Sequence, residues 1–138
     1  KELRKGVSTH LTVITAKDTE QVRDALERHF SKHQGPTGIF AYNDRRAVQV
    51  LGLLEQMRIR IPEEAGVVGF DNTYMCEYLY PKLSSIAQPN QKMAELAVTR
   101  LLERLEHPEE TKKLDHPLHA ELICRESSDR VGRKENEK

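Results

Sequence analysis

The chain has 138 residues and carries 22 basic against 22 acidic side chains. That length gives one domain with a real core and excludes a sensor joined to a DNA-binding head, while the balanced charge excludes a strong pull towards nucleic acid or an anionic membrane. Cys76 and Cys124 stand far apart and outside any C-x-x-C pattern, which predicts two inert, buried or half-buried thiols in a reducing cytosol. No apolar run approaches the roughly 18 residues needed to span a bilayer. The charged start, Lys1 to Gly6, has no signal-peptide core. The expected setting is therefore soluble and cytoplasmic, with no membrane partner, and the abrupt opening reads as that of a fragment.

In chain order, His10 to Thr15 is short, apolar and β-branched and predicts a buried strand. Asp18 followed by Gln21 resembles a capping box, and Val22, Leu26 and Phe30 recur on one face, which predicts a helix from about Thr19 to about His33. Gly35 and Pro36 end it, and Gly38 to Tyr42 predicts a second strand. Asn43 caps the next helix, whose apolar stripe is Ala47, Val48, Leu51, Leu54 and Met57.

A third round follows. Gly66 to Phe70 is apolar almost throughout, as strands covered on both faces are. Thr73 to Tyr80 predicts a short helix ended by Pro81, Leu83 to Gln88 a further strand, and Gln91 to Leu105 a long amphipathic helix whose stripe fits core packing. Leu118 to Cys124 predicts a last strand, and residues 127–138 a disordered tail. Alternating strands and helices predict an α/β fold, a parallel β-sheet flanked by helices.

In such sheets a ligand sits beyond the carboxyl ends of the strands, where helix N-termini point into a crevice. The strand ends present Thr15 to Asp18, Tyr42 to Asp44, and Phe70 to Thr73. Lys17, Asn43, Phe70 and Asp71 are the candidate ligand-binding residues, and a set rich in carboxylates and amides suits the hydroxyls of a sugar. Asn43 serves equally as a helix cap alone, and Asp44 is better explained by the positive end of its helix. Asp71 closes a strand too apolar for the surface, so its carboxylate needs partners.

Catalysis has no positive sign. His29 and His33 lack a third metal ligand, and His116 and His119 are equally unsupported. Ser84 and Ser85 have no nucleophile elbow, and no phosphate-binding glycine loop occurs. Asp44 and Asp71 form a conceivable acid–base pair with no nucleophile or metal beside them. No metal and no cofactor are expected.

Four stretches then carry a resemblance. Pro36-Thr37-Gly38-Ile39-Phe40-Ala41-Tyr42-Asn43-Asp44 with Ala47 resembles P-T-A-I-[FV]-x-x-N-D-x-x-A, and Ile61 to Asp71 resembles V-P-x-D-[IV]-S-[VI]-[VI]-G-[FY]-D. Pro81 to Gln88 is similar to P-x-L-T-[ST]-[IV]-x-Q, and Glu121 to Ser127 to [ED]-L-[IV]-x-R-x-S. These are motifs of the LacI/GalR transcription regulators, whose sensing core is similar to the type I periplasmic sugar-binding proteins. The sequence departs at Gly38, Gly66 and Ala94, where Ala, Ser and Gly are usual.

The resemblance implies the C-terminal half of a two-lobed fold. Residues 1–126 would form a partial effector-binding domain, of which about 84–106 cross back towards the missing N-terminal lobe and leave the stripe of the long helix without its partner. It implies that Asn43 and Asp71 hydrogen-bond a sugar effector and that Val48, Met75, Tyr78 and Leu79 lie in a homodimer interface. Operator DNA would be reached only through an N-terminal domain absent from this sequence. The implied function is the sensor of a sugar-responsive repressor rather than an enzyme. A periplasmic-type sugar-binding protein and a sugar-processing enzyme are the alternatives.

Overall fold

A computed structural model describes residues 11–109 and 116–129 of the chain. The chain divides between Gln34 and Gly35 into two compact units.

The first unit contains one helix, α1 (Thr19–Lys32). Asp18 Oδ1 accepts from the Gln21 N–H at 2.9 Å, and the Gln21 side chain accepts from the Lys17 N–H at 3.0 Å, so the capping pattern closes one residue earlier than the usual box. Of the strand expected from His10 to Thr15, His10 lies outside the described residues and no strand forms over Leu11 to Thr15. Its described residues, from Leu11 onward, adopt no regular structure, and Leu11 and Val13 are exposed. A strand exists only through its neighbours' hydrogen bonds, and the described part of this unit holds no other strand to pair with.

The second unit is built on four strands, β1 (Thr37–Phe40), β2 (Ala65–Phe70), β3 (Ser84–Ala87) and β4 (Glu121–Ile123), which lie side by side in chain order. β1, β2 and β3 run parallel, and β4 closes the edge antiparallel to β3. Helix α2 (Asp44–Gln56) joins β1 to β2, and a 3-10 helix (Tyr74–Glu77) lies between β2 and β3. Helix α3 (Asn90–Glu106) precedes β4. The result is a mixed, mostly parallel α/β sheet with helices in its connections.

The core sits between α2 and β2, where Ala47, Leu51 and Leu54 pack with the Ala65–Val67 side of the sheet. Ala65, Val67 and Gly69 are buried while Gly66, Val68 and Phe70 are half-buried, so β2 is sealed on one face and only partly covered on the other. The apolar run had predicted two covered faces.

A second difference concerns α3. No residue of it is buried, and Leu101, Leu102 and Leu105 of its apolar stripe are exposed, so the stripe does not pack into this unit's core.

The chain end departs from expectation at Ser127, which is buried rather than part of a loose tail. Its N–H donates to Lys82 O at 3.0 Å and its Oγ to Val67 O at 2.6 Å, while its own oxygens accept from the Val67 and Ser84 N–H groups. One serine thus ties the amino ends of β2 and β3 together. The remainder of the expected tail, from residue 130, lies outside the described residues.

Candidate functional site

The carboxyl ends of β1, β2 and β3 are held in line by ladder bonds that continue past the strands. Ala41 N–H donates to Val68 O at 2.9 Å, and Asp71 N–H donates to Ile86 O at 2.9 Å. Asn43, Phe70 and Asp71 therefore meet at one end of the sheet, where the parallel-sheet rule places a ligand. Lys17 belongs to the first unit, where it stands directly ahead of the α1 cap.

Asn43 does cap α2, its Oδ1 accepting from the Arg46 N–H at 2.8 Å. Its amide nitrogen has no hydrogen-bond partner among the described residues, so capping and ligand contact are compatible. Phe70 is half-buried, with its ring edge-to-face to Phe40 at 6.4 Å and 89°. Such a pair leaves an apolar wall beside the polar groups.

Asp71 has φ 105° and Asn72 φ 49°, two successive residues in the left-handed region that side chains rarely adopt. The turn is held from both sides. Gln88 Nε2 donates to Asp71 Oδ1 at 2.8 Å, and Asn72 N–H donates to Ser85 Oγ at 3.0 Å. Asp71 is half-buried, and its second carboxylate oxygen accepts no hydrogen bond among the described residues. A carboxylate fixed by one oxygen and open at the other is prepared for a hydroxyl donor. The need for a partner was legible in the sequence; that the partner is Gln88, the last residue of the third motif, was not.

Asp44 has a different role. It is 1% exposed and accepts from Ser85 Oγ at 2.5 Å, Thr73 N–H at 2.6 Å and Cys76 Sγ at 3.2 Å. This carboxylate is a buried junction of α2, β3 and the 3-10 helix, with no face open to a substrate. Asp44 is thus engaged in the core rather than exposed beside Asp71. Gly69 makes room for it, since a Cβ there would lie 2.4 Å from Asp44 Oδ1.

Cys76 is buried, and desolvation together with the Asp44 carboxylate raises its thiol above the ordinary value. Cys124 is exposed, contrary to the expectation of a covered thiol. Among the described residues no group of three or more acidic, His or Cys side chains could hold a metal, and no helix is long and apolar enough to cross a membrane.

The four residues of the predicted interface are only partly displayed. Tyr78 is 82% exposed and Met75 lies at the surface beside Tyr74, whereas Val48 and Leu79 are half-buried.

A mostly parallel sheet with polar side chains gathered beyond its strand ends defines an α/β domain of the open-sheet class, and comparison with known proteins gives its family. Residues 3–128 match the periplasmic binding protein-like domain, and the chain belongs to that family, as a portion of a LacI/GalR-type effector-binding domain. It is 34% identical over 107 residues to the HTH-type transcriptional repressor PurR of Vibrio vulnificus, covering 78% of this chain and 32% of the repressor. Among solved structures, it is similar to a LacI family transcriptional regulator from Enterococcus faecalis with bound ribose, with 34% identity, TM-score 0.67, and coverage of 83% of this chain and 42% of that one. A LacI family regulator from Enterococcus faecium with bound ribose gives 33% identity, TM-score 0.63, and coverage of 80% and 39%. The chain thus spans about a third of the length of the curated relatives it matches.

Proposed function

We propose that this chain forms one wall of the effector site of a sugar-responsive transcriptional repressor. The observation that carries the reading is the Asp71 turn, a half-buried carboxylate fixed by Gln88 with one oxygen open, set beside Asn43 and Phe70 at the strand ends. The ribose-bound regulators of the same fold support a pentose or related polyol as the ligand class. Asp71 and the Asn43 amide engage vicinal hydroxyls, and Phe70 packs against the sugar's C–H face.

In this reading residues 1–126 contribute to the effector domain, and about 84–106 cross to a second lobe that covers the apolar stripe of α3. The exposed Leu101, Leu102 and Leu105 support that crossing, because a soluble domain rarely displays such a stripe without a partner. Tyr78, Met75, Leu79 and Val48 form the homodimer face, and ligand shifts the population of a dimer arrangement that fits operator DNA held by a separate domain. The protein acts in the cytoplasm and performs no catalysis, in keeping with the regulatory character of its relatives.

Calorimetric titration of D-ribose and D-glucose into the complete gene product tests this. Binding of a sugar by the wild type and its loss in Asp71→Ala, with the fold retained, is the expected result. Equal affinity in the two proteins removes Asp71 from the site.

A further inference from the structure

Arg125, just after β4, has a side chain only 11% exposed. Its backbone is pinned to β3 in both directions, the Arg125 N–H donating to Ser84 Oγ at 2.7 Å and Ser84 Oγ donating to Arg125 O at 2.9 Å. From that anchor the guanidinium reaches three segments. Nη1 donates to Leu83 O at 2.8 Å, Nη2 to Asn72 Oδ1 at 3.0 Å, and Nε to Glu77 Oε1 at 2.8 Å, with Nη2 also 2.6 Å from the same Glu77 oxygen.

Two of these contacts join regions with different tasks. Asn72 is the second residue of the strained turn that presents Asp71, and strain of this kind persists only where the surroundings impose it. Glu77 ends the 3-10 helix whose outer surface carries Tyr74, Met75 and Tyr78. Nη2 alone touches both, while Nη1 on Leu83 O and Nε on Glu77 fix the plane of the group; a lysine ammonium has three donors but lacks that fixed fork.

We propose that Arg125 is a positioning residue that sets the Asp71–Asn72 turn for the effector and transmits its state to the Tyr74–Glu77 helix. The proposal rests on the reading of Asp71 as an effector contact. Displacement of the turn by a bound sugar pulls Asn72 Oδ1 against the fork, and the same rigid group moves Glu77. Coupling then runs through one side chain between ligand and surface.

The test uses the complete gene product with Arg125→Lys, Glu77→Gln and Asp71→Ala. D-ribose is titrated calorimetrically, and amide hydrogen exchange is followed at residues 71–78 without sugar. In Arg125→Lys, exchange at Asn72 and at Cys76 to Tyr78 rises together, and the ribose dissociation constant rises about tenfold or more, as loss of a charge-assisted bond at a turn implies. Titration stoichiometry stays unchanged; a merely structural residue would lower the stoichiometry and spare the affinity of the folded fraction. In Glu77→Gln exchange rises at the 3-10 helix alone, and ribose affinity stays within about twofold of the wild type, because the turn keeps its arginine bond.

Wild-type ribose affinity in Arg125→Lys, or loosening in that same variant of one segment without the other, overturns the proposal. Retained affinity in Asp71→Ala instead removes the site reading. The exchange data then still decide whether Arg125 holds the two segments as one.

Discussion

Ser85 and Asp44, 41 residues apart, share the shortest hydrogen bond of the buried junction, with Ser85 Oγ donating to Asp44 Oδ1 at 2.5 Å. Asp44 opens α2 and Ser85 lies in β3, so the bond spans the sheet and locks the helix start to it. Ser85→Ala leaves a buried carboxylate short of one donor and the Asn72 N–H without its acceptor, and a destabilisation of about 1.5–3 kcal/mol or more is expected. The exposed Ser31→Ala serves as the control and should change stability by less than about 0.5 kcal/mol. Urea unfolding measures both, and equal midpoints would show that neither Asp44 nor the Asn72 turn depends on the Ser85 hydroxyl.

Two glycines give opposite expectations from the same substitution. At Gly69 an added Cβ meets Asp44 Oδ1 at 2.4 Å and the Ala47 Cβ at 3.3 Å, so something in the core must shift. Gly69→Ala is expected to cost about 1–3 kcal/mol. Gly52 lies within α2 with nothing within 4 Å of its added Cβ, and Gly52→Ala is expected to stabilise by about 0.5–1 kcal/mol through helix propensity. Thermal unfolding of the pair checks the sign at each position.

What the sequence revealed follows from the range over which each interaction acts. Helix α2 was readable because its cap, Asn43, and its period of apolar residues are local. Asp71 was readable because it ends an apolar run. The segment from His10 to Thr15 looked like a strand for equally local reasons, and failed over Leu11 to Thr15 because pairing is not local. Likewise Asp44 read as a helix-dipole group because its true partners stand 29 to 41 residues away. Arg125 and Gln88 sat in quoted motifs without a role, since Asn72 lies 53 residues from one and Asp71 17 residues from the other.

The two thiols should separate by reactivity. Cys124 is exposed, whereas Cys76 is buried and donates to Asp44, which keeps it protonated. A neutral pH reaction with a water-soluble disulfide reagent is expected to modify Cys124 rapidly and Cys76 only after unfolding. The sign of the pH effect follows. Because the folded thiol titrates above its unfolded value, its contribution is complete below the unfolded value and is lost as pH rises through the folded one. Cys76→Ser should therefore flatten any alkaline loss of stability. Equal labelling rates for both thiols in the native protein would contradict the burial of Cys76.

The backbone at Asp71 offers a way to separate strain from ligand contact. With φ 105°, any side chain there is held in an unfavourable conformation, while glycine adopts it freely. Asp71→Ala and Asp71→Gly both remove the carboxylate and its bond from Gln88, so the lost interaction cancels in their comparison. Only the Cβ differs, and Asp71→Gly is expected to be the more stable of the two by about 1 kcal/mol. Both variants should lose D-ribose binding in the complete gene product, because neither can accept from the sugar's hydroxyls. Denaturant unfolding and calorimetry on the same preparations give the two answers separately. A glycine variant no more stable than alanine would show that the turn is not strained, and a glycine variant that binds ribose normally would show that the carboxylate is not what the sugar meets. Greater stability together with lost binding is the signature of a residue kept in a costly conformation for its chemistry.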